Sequence, residues 1–267
     1  MPTFASLTIG FLLLAVIFFA IERISPGTPG QRRVRAGWKL DLLYWFFTPL
    51  VTGWIARICT IIAAAITLVA LGRSLDPAII ARGFGPIARQ PAWLQAIEIV
   101  LLGDLVGYWM HRLFHGRRMW RFHAIHHSST EVDWLSAVRL HPVNDVLTRV
   151  AQVVPFLVLG FAPFVLVAYV PLLTFYAILL HANVNWTFGP LRYVFASPVF
   201  HRWHHTKEAE AQGKNFAGMF PLFDVLFGTF YIPRGKLPSD FGVSEPVPQG
   251  LVGQLAYPFR KSVPGDV

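Results

Sequence analysis

Long runs without charge alternate with short polar connectors along this chain of 267 residues. Residues 3–21 are apolar and uncharged, which matches the ~20 residues one helix needs to cross a bilayer core. Residues 40–71 form a second apolar block, interrupted by Arg57. It is long enough for one tilted helix or a tight hairpin. Residues 92–110 make a third block. Residues 146–180 make a fourth, broken by "GFAP" at 160–163. Glycine and proline at that point predict two shorter helices, a hairpin that returns to the side it left. The segments before 146 and after 180 then share one membrane face. The first block is read as a retained span, because "MPTFAS" has no basic residue and no small-residue cleavage site follows. The pattern predicts an all-α membrane protein of four to six spans.

Composition agrees. The chain is 54% hydrophobic and 14% charged, against about 25% charged in soluble domains. The net charge is +9. Basic residues in "ERISPGTPGQRRVRAGWK" (22–39) and around the histidines place that face in the cytosol by the positive-inside rule. Arg73, Arg82 and Arg89 fall in a connector on the other side. The basic residues form no stripe, so nucleic acid is not the partner. The single cysteine, Cys59, lies in an apolar block and offers no disulfide framework.

Histidine changes the picture most. "HRLFHGRRMWRFHAIHH" (111–127) holds five of the ten histidines. His111 and His115 are spaced i, i+4 and share a helix face. Tracing that face back reaches Tyr108 and Asp104, an acid near the membrane boundary and so a functional candidate. His123, His126 and His127 form HxxHH. The two adjacent rings diverge by about 100°, so such a trio can serve two metals. His201, His204 and His205 repeat the pattern, with Ser197 and Pro198 as a helix N-cap and first position. His181 leaves the fourth block with Asn185 as its i+4 partner. His141 precedes a proline and so stands at a helix break.

Three such boxes point to metal rather than to a solvated face or a pH sensor. Eight or nine imidazoles are too many for one four-ligand structural zinc, so two metals are the economical reading. No Glu-x-x-His and no His-Glu-x-x-His is present, which removes the soluble di-iron bundle and zincin patterns. Neutral imidazoles leave metal charge uncompensated, so outer acids matter. Asp104, Glu131, Asp133 and Asp224 are the candidates, with Asp104 expected to hydrogen-bond a ligand imidazole.

HxxxH at 111–115, HxxHH at 123–127, HxxHH at 201–205 and "NFAGMFPLFDVLFGT" at 215–229 together resemble the fatty acid hydroxylase/sterol desaturase superfamily of membrane di-iron oxygenases. The resemblance covers roughly residues 95–230. It implies that His111, His115, His123, His126, His127, His201, His204 and His205 bind two ferrous irons and that His181 is a further ligand. Some members carry a histidine where this chain has Asn185, which leaves Asn185 as a weak or water-mediated contact. His141 matches a recurring His-Pro and is read as lying behind the ligands. The resemblance also implies O₂ as co-substrate and hydroxylation or desaturation of a lipid C–H bond, in a fatty acyl chain, alkyl ether, sterol or carotenoid.

"GFGP" at 83–86 is not a dinucleotide fingerprint. Electrons are therefore expected from a separate ferredoxin or cytochrome, docked on the basic face. Residues 1–94 are expected to be membrane region and loops, 95–232 the catalytic domain holding the dimetal site under a cytosolic helical cap, and 233–267 a Pro/Gly-rich loop tail. The rivals are a zinc-dependent membrane hydrolase or isomerase and a metal transporter. A transporter would want ligands within the spans.

Overall fold

The structure, a computed structural model, describes residues 2–32 and 34–260. The described residues fold as helices and connecting loops, with two isolated bridges in place of a sheet. α1 is Phe4–Ile24, α2 Trp38–Phe47 and α3 Gly53–Ala70. α4 (Pro77–Arg82) and α5 (Gly85–Ala88) are short. α6 is Ala92–Phe114, α7 Trp120–His127, α8 Pro142–Leu159 and α9 Pro163–His181. α10 (Pro198–His204), α11 (Leu222–Leu226) and α12 (Leu251–Ala256) complete the order.

Among the described residues, five helical segments are long and apolar enough to cross a membrane, and they make this an integral membrane protein. Their outer faces stay apolar: Val16, Ile66, Phe164 and Val167 are all more than 60% exposed. Such faces are stable only against lipid. The block at 40–71 is one continuous segment, Trp38–Ala70, and not a hairpin. It changes register through a π turn at Thr48–Thr52. Pro49 has no N–H to give to the preceding turn, so the helix widens there. At 33 residues it would reach about 50 Å, well past a ~30 Å hydrocarbon core. The excess matches α2, which packs through Leu40 and Tyr44 against Ala124 and Ile125 of α7.

The hairpin expected at 146–180 is present as α8 and α9. Gly160 turns it with φ +95° and caps α8, and its carbonyl accepts from the Phe84 N–H at 3.0 Å. α4, α5 and this turn therefore sit together at one end of the bundle. The C-termini of α6 and α9 and the N-terminus of α8 all lie at the other end, and every histidine lies there. α1 is pinned to the same end. Phe18 stacks on Trp134 (5.7 Å, 9°), Trp45 meets Trp134 edge-on at 6.1 Å, and Glu22 accepts N–H bonds from Trp134 and Asn183. Each aromatic pair contributes about 0.5–1.5 kcal/mol beyond its buried area.

The tail departs from the expected loop. α12 and a 3₁₀ turn at Tyr257–Phe259 strap across α7. Val247 and Tyr257 join the Tyr44–Ile125 cluster, and Arg121 donates to the Tyr257 carbonyl at 2.9 Å. Val247, Leu251 and Tyr257 give the tail something apolar to bury, and that outweighs its many prolines and glycines.

Candidate metal centre

Nine imidazoles converge where α6, α7, α9 and α10 end. His111 lies in the last turn of α6 and His115 caps it. His123, His126 and His127 come from α7, His181 from the end of α9, and the third box from α10. Ser197 caps α10 by accepting the Phe200 N–H, and Pro198 opens it, as the sequence pattern predicts.

The rings sort into two groups, each with ligand atoms within 4.8 Å of one another. His111, His115, His123, His127 and His204 form the first; His126, His181, His201 and His205 form the second. The boxes split by helical geometry. His123/His127 and His201/His205 are i, i+4 pairs and stay together, while His126 and His204 turn into the opposite group. His127 and His205 stack at 4.3 Å and 23°, which sets the groups side by side.

The outward nitrogens are held. Nδ1–H of His111 donates to the Phe216 carbonyl (2.7 Å), His123 to Asn144 Oδ1 (2.7 Å) and His126 to the Arg139 carbonyl (3.1 Å). His181 donates to the Ala177 carbonyl and His204 to the Lys214 carbonyl, both at 2.7 Å. These bonds commit the proton to Nδ1 and leave Nε2 as a bare lone pair facing inward. His111 Nε2 then meets His123 Nε2 at 3.0 Å, and His126 Nε2 meets His181 Nε2 at 3.1 Å. In each pair both protons are engaged elsewhere, so two lone pairs face each other. His127 Nε2 is buried without a hydrogen-bond partner among the described residues. Burial pushes the cap imidazoles, His115, His123, His126, His127, His201, His204 and His205, well below their usual value of 6.5, and neighbouring imidazoles add to it. A shared proton is therefore no remedy. A cation between the rings is, and the donor set fits two of them.

The acids act one layer further out. Asp104 accepts the backbone N–H groups of Gly218, Met219 and Phe220 at 3.0, 2.8 and 2.7 Å. This corrects the expected bond to an imidazole. The loop that Asp104 ties down instead presents the Phe216 carbonyl to His111. Asp224 works on the same loop, taking the N–H of Phe216 (2.8 Å) and Ala217 (2.9 Å). Asp133 pairs with Arg35 at 2.6 Å, and Glu131 accepts from the Ala36 N–H at 3.3 Å.

Two other expectations are corrected. α9 ends at His181, so Asn185 is not one turn along the same face. It is exposed, and its backbone N–H donates to the Ser25 carbonyl at 3.1 Å. His141 does not lie behind the ligands. It caps α8 by accepting the Val143 N–H at 3.1 Å, and its Nε2–H donates to the Leu255 carbonyl at 3.2 Å. Phe122 and Phe259 flank its ring. Asn144, three residues on, reaches the imidazoles in its place. A polar residue in the first turn of an apolar helix was its only signal. The four carbonyl acceptors had none.

A fatty acid hydroxylase family model matches residues 96–229. The ornithine lipid hydroxylase OlsE of Rhizobium tropici is 33% identical over 174 residues, 63% of this chain and 52% of OlsE. The alkylglycerol monooxygenase of Homo sapiens is 31% identical over 145 residues, 54% of this chain and 32% of that enzyme. The very-long-chain aldehyde decarbonylase GL1-10 of Oryza sativa subsp. japonica is 30% identical over 149 residues, 51% and 46%. The chain thus spans about half the length of the first of these relatives and a third of the second. No solved structure matches it. The family match runs from the third span to the loop held by Asp224 and takes in all nine imidazoles; the chain belongs to the fatty acid hydroxylase family.

Proposed function

We propose that this protein is a membrane oxygenase that holds two irons in its two histidine groups. It would use O₂ and external electrons to hydroxylate or desaturate a C–H bond of a lipid. The observation that carries this reading is the facing pair of proton-committed imidazoles in each group. Five rings in the first group exceed what a tetrahedral zinc takes, which favours a metal of higher coordination number. When bound, two ferrous irons would supply the activation of dioxygen, chemistry no side chain here offers. The nine histidines would bind them. Phe216, Asn144, Arg139, Ala177 and Lys214 would set ring orientation and basicity, and burial would keep bulk water away.

The lipid class rests on the spans and on the relatives, whose names state an ornithine lipid, an alkylglycerol and a very-long-chain aldehyde. The end of the bundle with the histidines also carries Arg23, Arg32, Lys39, Arg117 and Arg118. The positive-inside rule would put it in the cytosol. Arg117 and Arg118 are exposed beside His115 and would dock an acidic ferredoxin or cytochrome. Raising ionic strength with donor limiting should then slow turnover.

The test is metal analysis of protein grown with iron and purified without oxygen, followed by lipid turnover with reductant and O₂. Two irons per chain, falling to about one in both His126→Ala and His204→Ala, with O₂-dependent product, are expected. Two zincs with O₂-independent lipid hydrolysis would replace the oxygenase with the hydrolase reading.

A further inference from the structure

A cavity of about 380 Å³ lies between α6, α8 and α9, near the lower end of the ~300–1,000 Å³ range of ligand sites. It runs along α8 from Asp145 to Phe156 and along α9 from Leu166 to Ala177. Twelve residues of helix span about 17 Å, close to half of a ~30 Å hydrocarbon core. Its upper end reaches the residues behind the imidazoles. Ala177 holds His181, and Asp145 follows the Asn144 that holds His123. Its lower part is apolar, with Ile99, Val153, Phe156 and Leu166. The Gln152 amide there is already committed to the Gly103 carbonyl at 3.0 Å, and the Tyr169 hydroxyl, buried with no partner among the described residues, adds one further polar group. Val167 and Val170 line it and also face the lipid at 70% and 48% exposure. A chain can therefore enter sideways from the bilayer.

The polar end is not finished by the protein itself. Asp145 is 8% exposed. Its Oδ1 takes the Arg149 Nε–H at 2.8 Å, while its Oδ2 is buried with no partner among the described residues. A buried carboxylate oxygen left unpaired is costly. The missing partner must be a hydrogen-bond donor at the top of an alkyl-shaped cavity.

We propose that this cavity binds a lipid with a single alkyl chain drawn from one leaflet, and that Asp145 reads a hydroxyl or ammonium donor on its headgroup. The proposal deepens the lipid-oxygenase reading and rests on it for the ligand's role as substrate. A donor at Asp145 Oδ2 sits one residue beyond the Asn144–His123 contact. The carbons next to the headgroup would then lie nearest the imidazoles, with the chain's far end down in the bundle. Oxidation would fall near the head and not at the terminal methyl.

The test is binding to the purified full chain in lipid nanodiscs, so that it reads the cavity whether or not turnover occurs. Three radiolabelled probes share a hexadecyl chain: the primary alcohol, the primary amine and the methyl ether, which cannot donate. The alcohol or the amine should bind about tenfold or more tighter than the ether, and whichever of the two leads identifies the donor. Asp145→Asn offers an amide N–H to the cavity while its oxygen serves Arg149. It should abolish that preference and retain the ether. A diazirine on the alkyl chain of the wild-type ligand should label α8 and α9 around Val153 and Val170, a readout that needs no variant to fold. Equal binding of all three probes, a preference that survives Asp145→Asn, or labelling confined to other helices would each overturn the proposal. Probe binding as expected without any O₂-dependent product would instead overturn the oxygenase reading and leave the cavity standing.

Discussion

Asn144 Oδ1 accepts the Nδ1 proton of His123 at 2.7 Å, so the first turn of α8 orients a ring on α7. Removing the acceptor frees the ring and lowers its basicity. Asn144→Ala should weaken metal retention about 10- to 100-fold. Asn144→Asp, which keeps an acceptor, should recover most of it. Competition with a graded chelator measures both. Equal retention in Asn144→Ala and wild type would show that the contact does not orient a ligand.

Asp41 is fully buried and takes both the Arg35 and the Arg139 guanidinium at 2.5 Å. Arg139 in turn offers its carbonyl to His126. Asp41→Asn leaves Arg139 buried without an anion, while Arg35 keeps Asp133, a change that costs about 3–5 kcal/mol. The melting temperature should fall by about 10 °C, and metal should be lost from the His126 group before the His204 group. Thermal unfolding with metal analysis along the ramp reads both.

Asp104→Asn replaces a carboxylate that serves three N–H groups with an amide that can serve them on one side only. The 216–220 loop should loosen and let go of His111. Protection of the Gly218–Phe220 amides in hydrogen exchange should drop while α8 and α9 stay unchanged. Unaltered protection would mean that the loop is held by its packing alone.

The pH dependence follows from the buried imidazoles. His115, His123, His126, His127, His201, His204 and His205 have folded-state values well below 6.5. Above about pH 6.5 they are neutral in both the folded and unfolded chain and cost nothing. Below it the unfolded chain takes up protons that the folded chain refuses, so stability falls as pH falls. The metal-free protein should melt progressively lower from about pH 6.5 to about pH 5, and the metal-loaded protein should release metal over the same range. A melting temperature that is flat across that window would contradict it.

The spans and the three histidine boxes were legible because both are local patterns. Twenty uncharged residues announce a membrane helix wherever they fall, and i, i+4 spacing puts two rings on one face without outside help. The break at Gly160 and the Ser197–Pro198 cap were local in the same way. Asn185 and His141 failed for the converse reason. One was placed by continuing a helix that stops at His181, and the other is used up capping α8.

Chain order alone settled that this is a helical membrane protein with imidazole enough for two metals, because periodicity and composition act over a few turns. Folding decided which ring joins which group, that Asp104 ties down a loop and not a ring, and that Asp145 is left with an unpaired oxygen above a lipid-sized cavity. Those outcomes turn on acceptors that are mostly backbone carbonyls. Every residue carries one, so no residue type marks where it will be needed.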